Sequence, residues 1–379
     1  MDFDLSEEQR LLKDSVDGLL ADSYDFEQRK KYAQEKGGWS KAIWGKLAEQ
    51  GLLGLPFPEA DGGFGGGPVE TMIVMEALGR ALVLEPYLAT VVLGGGFLRH
   101  GGSAAQKEKY LPAIIDGSKT LAFAQLEKDS RYDLADVSTT AKKKGNGWVI
   151  DGEKFVVLNG ASADTLIVTA RTKGNQTDRT GIGLFLVPAD AKGVSIKGYP
   201  TQDAQHAADI TFSGVEVGAD AAIGDPENAL PLIERVVDEA RIAMCAEAVG
   251  AMDESLKTTV EYLKTRKQFG VTIGTFQTLQ HRAADMFVFL EQARSMTMLA
   301  AMATDFDDKE RSKTVAAAKV QIGKSLKFVG QQAIQLHGGI GMTMEAKIGH
   351  YFKRLTMIES TFGDTDYHLR RVSEQGSLI

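Results

Sequence analysis

Arg266-Lys267-Gln268-Phe269-Gly270 is followed by Phe276-Gln277 and, nearer the end of the chain, by Gln335-Leu336-His337-Gly338-Gly339-Ile340-Gly341. The sequence around these segments decides the fold. Residues 227–264, 276–304 and 309–337 carry apolar side chains at helical spacing with few breakers, so three long helices are predicted. With a shorter C-terminal helix they make a four-helix bundle over residues 226–379. The glycines after His337 then read as the C-cap of the third helix.

Upstream the periodicity changes. Residues 118–225 alternate short β-forming runs with glycine-rich turns and predict a compact, mostly antiparallel β-domain. Trp148-Val149-Ile150 and Lys154-Phe155-Val156-Val157 flank Asp151-Gly152, which predicts a hairpin, because a type I′ turn needs positive φ at both central positions. Further strands are expected at 166–169, 184–187 and 209–212. Residues 1–117 read as a helical domain. Ser6-Glu7-Glu8-Gln9 is a capping box, and Leu11, Leu12, Val16, Leu19 and Leu20 follow on one face. More helices are predicted around 42–50, 69–82 and 103–110, the last ending before Pro112. The fold class is α+β: an N-terminal all-helical domain, a central antiparallel β-domain and a C-terminal four-helix bundle.

Composition narrows the function classes. The chain has 379 residues, enough for two or three domains, with 43% hydrophobic and 25% charged residues and a net charge of −8. An acidic balance argues against nucleic acid as the main partner but leaves room for a local basic patch facing an acidic ligand. Cys245 is the single cysteine, so no intrachain disulfide can form, and its apolar neighbours predict a small core side chain. The acidic start, Met1-Asp2-Phe3-Asp4, lacks a signal peptide's basic and apolar regions. No apolar run approaches the ~20 residues of a membrane helix. A reducing cytoplasm is the simplest location.

Other features carry less. Gly62-Gly63-Phe64-Gly65-Gly66-Gly67 lacks the preceding strand of a dinucleotide loop and reads as a flexible or closely packed loop. The histidines at 100, 206, 281, 337, 350 and 368 show no metal-ligand spacing. Lys142-Lys143-Lys144 before Gly145 reads as a solvated turn.

The motifs together resemble the acyl-CoA dehydrogenase family over nearly the whole chain. Leu53-Gly54-Leu55-Pro56-Phe57-Pro58-Glu59, Gln106-Lys107-Glu108-Lys109-Tyr110-Leu111-Pro112, Asp151-Gly152-Glu153-Lys154 and Asn159-Gly160 are similar to its N-terminal loop, the helix before its β-domain and its central hairpin. The resemblance implies FAD, acyl-CoA as substrate, and α,β-dehydrogenation of the thioester, with an electron-transfer flavoprotein as acceptor. Arg266 matches the arginine whose fork neutralises the FAD pyrophosphate. Gln277 and Gln335 match residues that hydrogen-bond the cofactor; Gln268 and Phe269 share the signature with Arg266. Gly338 and Gly339 match a place where backbone approaches it closely. In the family these groups act on the flavin of a neighbouring subunit. Thr365, Leu126 and Leu158 match positions beside the flavin ring.

Three departures fall at the reactive end. Gly363 stands where most members carry the catalytic glutamate. The alternative base position, before the arginine that Arg241 matches, is Ala240; Glu247 lies on roughly its face but ~10 Å along the helix. Leu126 replaces a threonine before Glu127, and the usual glycines give way to Lys128-Asp129-Ser130-Arg131-Tyr132-Asp133. Val156-Val157-Leu158 replaces a tryptophan-x-threonine. The losses cluster on the chain's own flavin pocket while the cross-subunit residues remain. This pattern resembles the small subunit of two-component enzymes acting on pimeloyl-CoA or steroid side chains. Three readings follow: a subunit of an α2β2 assembly, inactive alone, whose partner supplies the base; a homotetramer using Asp364, Glu247 or another carboxylate; or a non-catalytic scaffold. Asp364 also suits a cap of the following helix.

Overall fold

The computed structural model describes residues 5–376; the acidic start at 1–4 lies outside them. Among the described residues the helices are α1 (Glu7–Ser23), α2 (Phe26–Tyr32), α3 (Lys41–Glu49), α4 (Pro68–Ala81), α5 (Gly95–Gly101), α6 (Ala104–Ile115), α7 (Leu230–Thr265), α8 (Gln277–Met302), α9 (Asp308–His337), α10 (Lys347–Ser360) and α11 (Thr365–Glu374). The strands are β1 (Leu121–Ala124), β2 (Thr140–Lys144), β3 (Gly147–Leu158), β4 (Thr165–Arg171), β5 (Ile182–Pro188), β6 (Val194–Pro200), β7 (His206–Val217) and β8 (Ala222–Ile223), with a small ribbon of β9 (Lys267–Gln268) and β10 (Val271–Thr272). The order helical, β, helical is the α+β organisation expected.

The chain divides into two compact units. One comprises Met1–Lys30, Pro68–Val83 and Arg241–Ile379. Here α8, α10 and α11 pack on α9. The capping box is present: Gln9 N donates to Ser6 Oγ, and Ser6 N donates to Gln9 Oε1. Val16 and Leu20 are buried, whereas Leu11 turns to solvent.

The other unit comprises Lys31–Gly67 and Leu84–Ala240. Its sheet runs β6-β7-β3-β2-β4-β5-β8, with β1 beside β4. The pairs of β4 with β1 and β2 are parallel and the rest antiparallel. Ala122 and Ala124 face the sheet core with Trp148, Ile150 and Phe185. On the opposite face of β1, Phe123 packs against Phe97 at 4.7 Å between ring centroids.

Three expectations are corrected. Asp151-Gly152 is no hairpin turn: β3 runs straight through it, paired with β2 on one side and β7 on the other. The dipeptide sits at a register shift, a bulge, where Asp151 Oδ1 accepts from Gly214 N at 2.7 Å. The reversal comes earlier, at Gly145-Asn146, because Lys144 pairs with Gly147. Lys142, Lys143 and Lys144 are therefore exposed strand residues of β2. Pro112 does not stop α6, which continues to Ile115. Proline there costs one hydrogen bond near the helix end, and the continued turn buries Ile114. Leu88–Gly94 forms a π-helical segment leading into α5.

Candidate active site

The donor set that the sequence singles out lies at one end of the bundle. The Tyr262 ring stacks on His337 at 4.5 Å, tying the last turn of α7 to the end of α9. Arg266 follows Tyr262 by one turn, and Gln335, Gly338 and Gly339 flank His337. Burial lowers the pKa of His337, so its ring is neutral and available for stacking. The β9–β10 turn is Phe269-Gly270, with φ of 55° and 80°. It leaves the Phe269 ring 90% exposed. Arg266, Gln277 and Gln335 are exposed, and their side chains bond to none of the described residues. Gln268 Nε2 donates only to Lys267 O, at 2.8 Å. Gly338 caps α9 at φ 60°, and a Cβ on Gly338 or Gly339 would meet none of the described residues within 4 Å. One guanidinium, two amides and an open backbone, all uncommitted, fit the phosphates and polar chain of a dinucleotide.

The segment that closes α10 and opens α11 carries Gly363. Lys319, on α9 and fully buried, donates to Ile358 O, Glu359 O and Thr361 O at 2.9, 3.4 and 3.2 Å. Arg241 Nε donates to Phe362 O at 2.9 Å, and His368 Nε2 lies 3.1 Å from the same oxygen. Burial, with Arg241, Lys319 and Arg371 nearby, holds His368 far below its usual pKa. The ring is neutral, so Nε2 carries the proton. Phe362 and Gly363 take φ of 56° and 116°. A Cβ on Gly363 would lie under 3.0 Å from both His368 Nε2 and Tyr367 Cδ1. A side chain at 363 therefore fits only if His368 and Tyr367 move.

Three carboxylates near this loop are engaged. Asp364 is the N-cap of α11, accepting from Tyr367 N at 2.7 Å. Glu359 Oε1 accepts from Thr365 N and Thr365 Oγ1 at 2.9 and 3.0 Å. Glu247 forms a two-pronged pair with buried Arg354, at 2.5 Å to Nε and 2.8 Å to Nη2. Cys245 is buried, and burial pushes its thiol up to about 11.

In the other unit, Gln125-Leu126-Glu127 leaves the end of β1. Phe155 N donates to Leu126 O at 2.8 Å. Lys154, wholly buried, donates to Gln125 O, Glu127 Oε1 and Thr169 Oγ1 at 3.2, 2.6 and 2.8 Å. Burial brings the Lys154 ammonium down to about 8, with the Glu127 charge opposing the fall. Burial works against ionising Glu127 too, but Lys154 and hydrogen bonds from Ser138 and Thr139 outweigh it and hold Glu127 at about 2. Val156 takes φ 49°, strained for a β-branched residue, at a second register shift against β7. Asp209 Oδ1 accepts from Val156 N at 3.2 Å, filling the bulge. Leu126 and Leu158 are half-buried and offer only apolar side chains.

Sequence reading passed over two groups. Gln125 is 6% exposed, and its Nε2 donates to none of the described residues. A buried donor left unpaired costs about 1–3 kcal/mol, so an orphan beside Leu126 suits a bound acceptor. A glutamine ending the apolar run Leu121-Ala122-Phe123-Ala124 was the available signal. Lys319 is the other; a lysine inside a helix gives no sign that it is buried.

Comparison with known proteins assigns the family. The chain matches the acyl-CoA dehydrogenase N-terminal, middle and C-terminal domains over residues 6–118, 122–215 and 230–376. It is 30% identical to the probable acyl-CoA dehydrogenase YngJ of Bacillus subtilis over 99% of both chains. Among solved structures it is similar to the Tcur3481-Tcur3483 steroid ACAD, at 31% identity and TM-score 0.88 over 97% of each chain. It is also similar to the ChsE4-ChsE5 complex from Mycobacterium tuberculosis, at 26% identity and TM-score 0.90, covering 99% of this chain and 98% of that one. The chain belongs to the acyl-CoA dehydrogenase family, flavoprotein oxidoreductases that act on CH–CH bonds with FAD as cofactor. Among the described residues no helix is long and apolar enough to cross a membrane.

Proposed function

We propose that this chain is an acyl-CoA dehydrogenase subunit that lacks its own base and completes α,β-dehydrogenation of an acyl-CoA thioester with a related, base-bearing partner. The observation that carries this reading is the loop at Gly363, where a side chain fits only if His368 and Tyr367 move, while Asp364, Glu359 and Glu247 are already engaged. Bound FAD supplies the hydride acceptor. Arg266 neutralises its pyrophosphate, Gln277 and Gln335 hydrogen-bond it, and Gly338 and Gly339 let it approach the backbone, across an interface with a neighbouring subunit. Gln268 and Phe269 complete that contact, and Thr365 lies beside the ring. Leu126 and Leu158 exclude water from this chain's own pocket without supplying the usual hydroxyls, so flavin is held less tightly there. The assembly is a tetramer, α2β2 with the partner or homomeric alone, and passes electrons to an electron-transfer flavoprotein. Domain boundaries at 1–117, 118–225 and 226–379 and a cytoplasmic location belong to the same reading. Expression with and without a related subunit tests it, followed by flavin counting, sedimentation and ferrocenium reduction with a panel of acyl-CoAs. Turnover and full flavin only in the mixed assembly are expected. Full flavin and robust turnover by the chain alone would overturn the two-component reading.

A further inference from the structure

The conspicuous group left over is the Lys319 ammonium. It is fully buried, and no carboxylate oxygen among the described residues bonds it. All three of its protons are used, one each on Ile358 O, Glu359 O and Thr361 O. These are orphan carbonyls at the C-terminal end of α10, where a cation also meets the negative end of the helix dipole. Gly323, one turn further along α9, lies against Thr365 and leaves no room for a side chain between them. Arg241 fixes the next carbonyl, Phe362 O, from α7. Two cations from two helices thus hold four of the five carbonyls from 358 to 362.

We propose that Lys319 is the positioning residue of the 358–365 segment, and that its triple contact, available only to the charged ammonium, sets where Thr365 stands. The link from Thr365 to the flavin rests on the function proposed above; the clamp itself does not. A neutral amine has two donors and a lone pair. On deprotonation one carbonyl loses its partner and another faces a lone pair, so the segment loosens. Burial brings Lys319 down to about 8. The charged and titratable groups around it are Cys245 and Arg241 from α7, Glu359 from α10, Asp364 before α11 and His368 on α11. Cys245, held at about 11, and His368, held far below its usual range, keep their protonation state between about pH 7 and pH 9.5. Lys319 is the group in this cluster poised to change within that window.

The sign of its effect on global stability is opposite. An unfolded lysine titrates at its ordinary 10.5, so between about 8 and 10.5 the unfolded chain binds more protons than the folded one. Lys319 therefore contributes rising global stability across the window in which the segment loosens. A general alkaline unfolding would move both downward together.

The experiment is amide hydrogen exchange of the full chain, corrected for intrinsic rate, from about pH 7 to pH 9.5, with wild type, Lys319→Met and the exposed control Lys327→Met. In wild type and the control, protection of residues 361–368 is expected to fall about tenfold through pH 8 while the rest of α9 stays protected. Lys319→Met should show low protection at every pH, with no step. If that variant fails to fold, the wild-type step alone decides. Protection that stays flat through pH 8 in wild type overturns the proposal, as does a step that persists in Lys319→Met. FAD titration by flavin fluorescence runs in parallel. A step in exchange with unchanged FAD affinity supports the clamp and removes Thr365 from the flavin site, so the two readings fail separately.

Discussion

Replacing Gly363 with glutamate puts a carboxylate where the family's base is expected, and the geometry predicts that it fails. Residue 363 has φ 116°, a conformation that costs an L-residue about 1–3 kcal/mol. The new Cβ overlaps His368 Nε2 and Tyr367 Cδ1, so the buried imidazole must move, which adds about 1–3 kcal/mol of overpacking. Moving it breaks the His368 Nε2 bond to Phe362 O, about another 1 kcal/mol. The expected destabilisation is about 3–7 kcal/mol, which lowers the urea midpoint by about 1 M or more. The assay is urea unfolding followed by circular dichroism, with flavin content and ferrocenium reduction measured on the same preparations. Pairing the substitution with His368→Ala removes the imidazole overlap, so the double variant should lose less than the sum of the two single losses, with the backbone strain and the Tyr367 overlap remaining. A single Gly363→Glu variant with a wild-type midpoint, full flavin and increased turnover would refute the argument and identify 363 as a vacated base position.

Four further outcomes are expected. Arg266→Ala or Gln335→Ala weakens FAD binding about ten- to a hundredfold in a fluorescence titration, because each removes an uncommitted donor; unchanged affinity excludes that residue from the site. Asp364→Ser keeps the α11 cap and should preserve turnover of the mixed assembly, whereas Asp364→Ala loses about 1 kcal/mol of stability. Loss of turnover in Asp364→Ser with the fold intact makes Asp364 the base. Glu247→Gln strands the Arg354 guanidinium and should cost about 3–5 kcal/mol by urea unfolding; a loss below about 1 kcal/mol contradicts a structural pair. Glu127 sits at about 2 in the fold against an ordinary 4.5, so its contribution is complete above 4.5 and disappears as pH falls toward 2. Glu127→Gln should flatten the acid limb of stability against pH, and an unchanged limb argues against the Lys154 pair as its source.

Local pattern determined a good deal by itself. The long helices were legible because their apolar residues repeat at helical spacing, and the capping box at Ser6 because its reciprocal bonds span three residues. Asp364 was readable as a cap from its place before a helix. Tertiary structure decided what depends on neighbours distant in sequence. Asp151-Gly152 has a turn's composition, yet β2 and β7 flank β3 on both sides and turn it into a bulge. Residues 88–94 are buried almost all round, so no amphipathic period marks their helix. Glu247 looks like an available base until Arg354, 107 residues away, closes on it. Lys319 looks like a solvated lysine until the carbonyls at the end of α10, about forty residues on, take all its protons. Periodicity and capping act within a turn or two of chain, whereas burial and the pairing of charges arise only when separate elements meet.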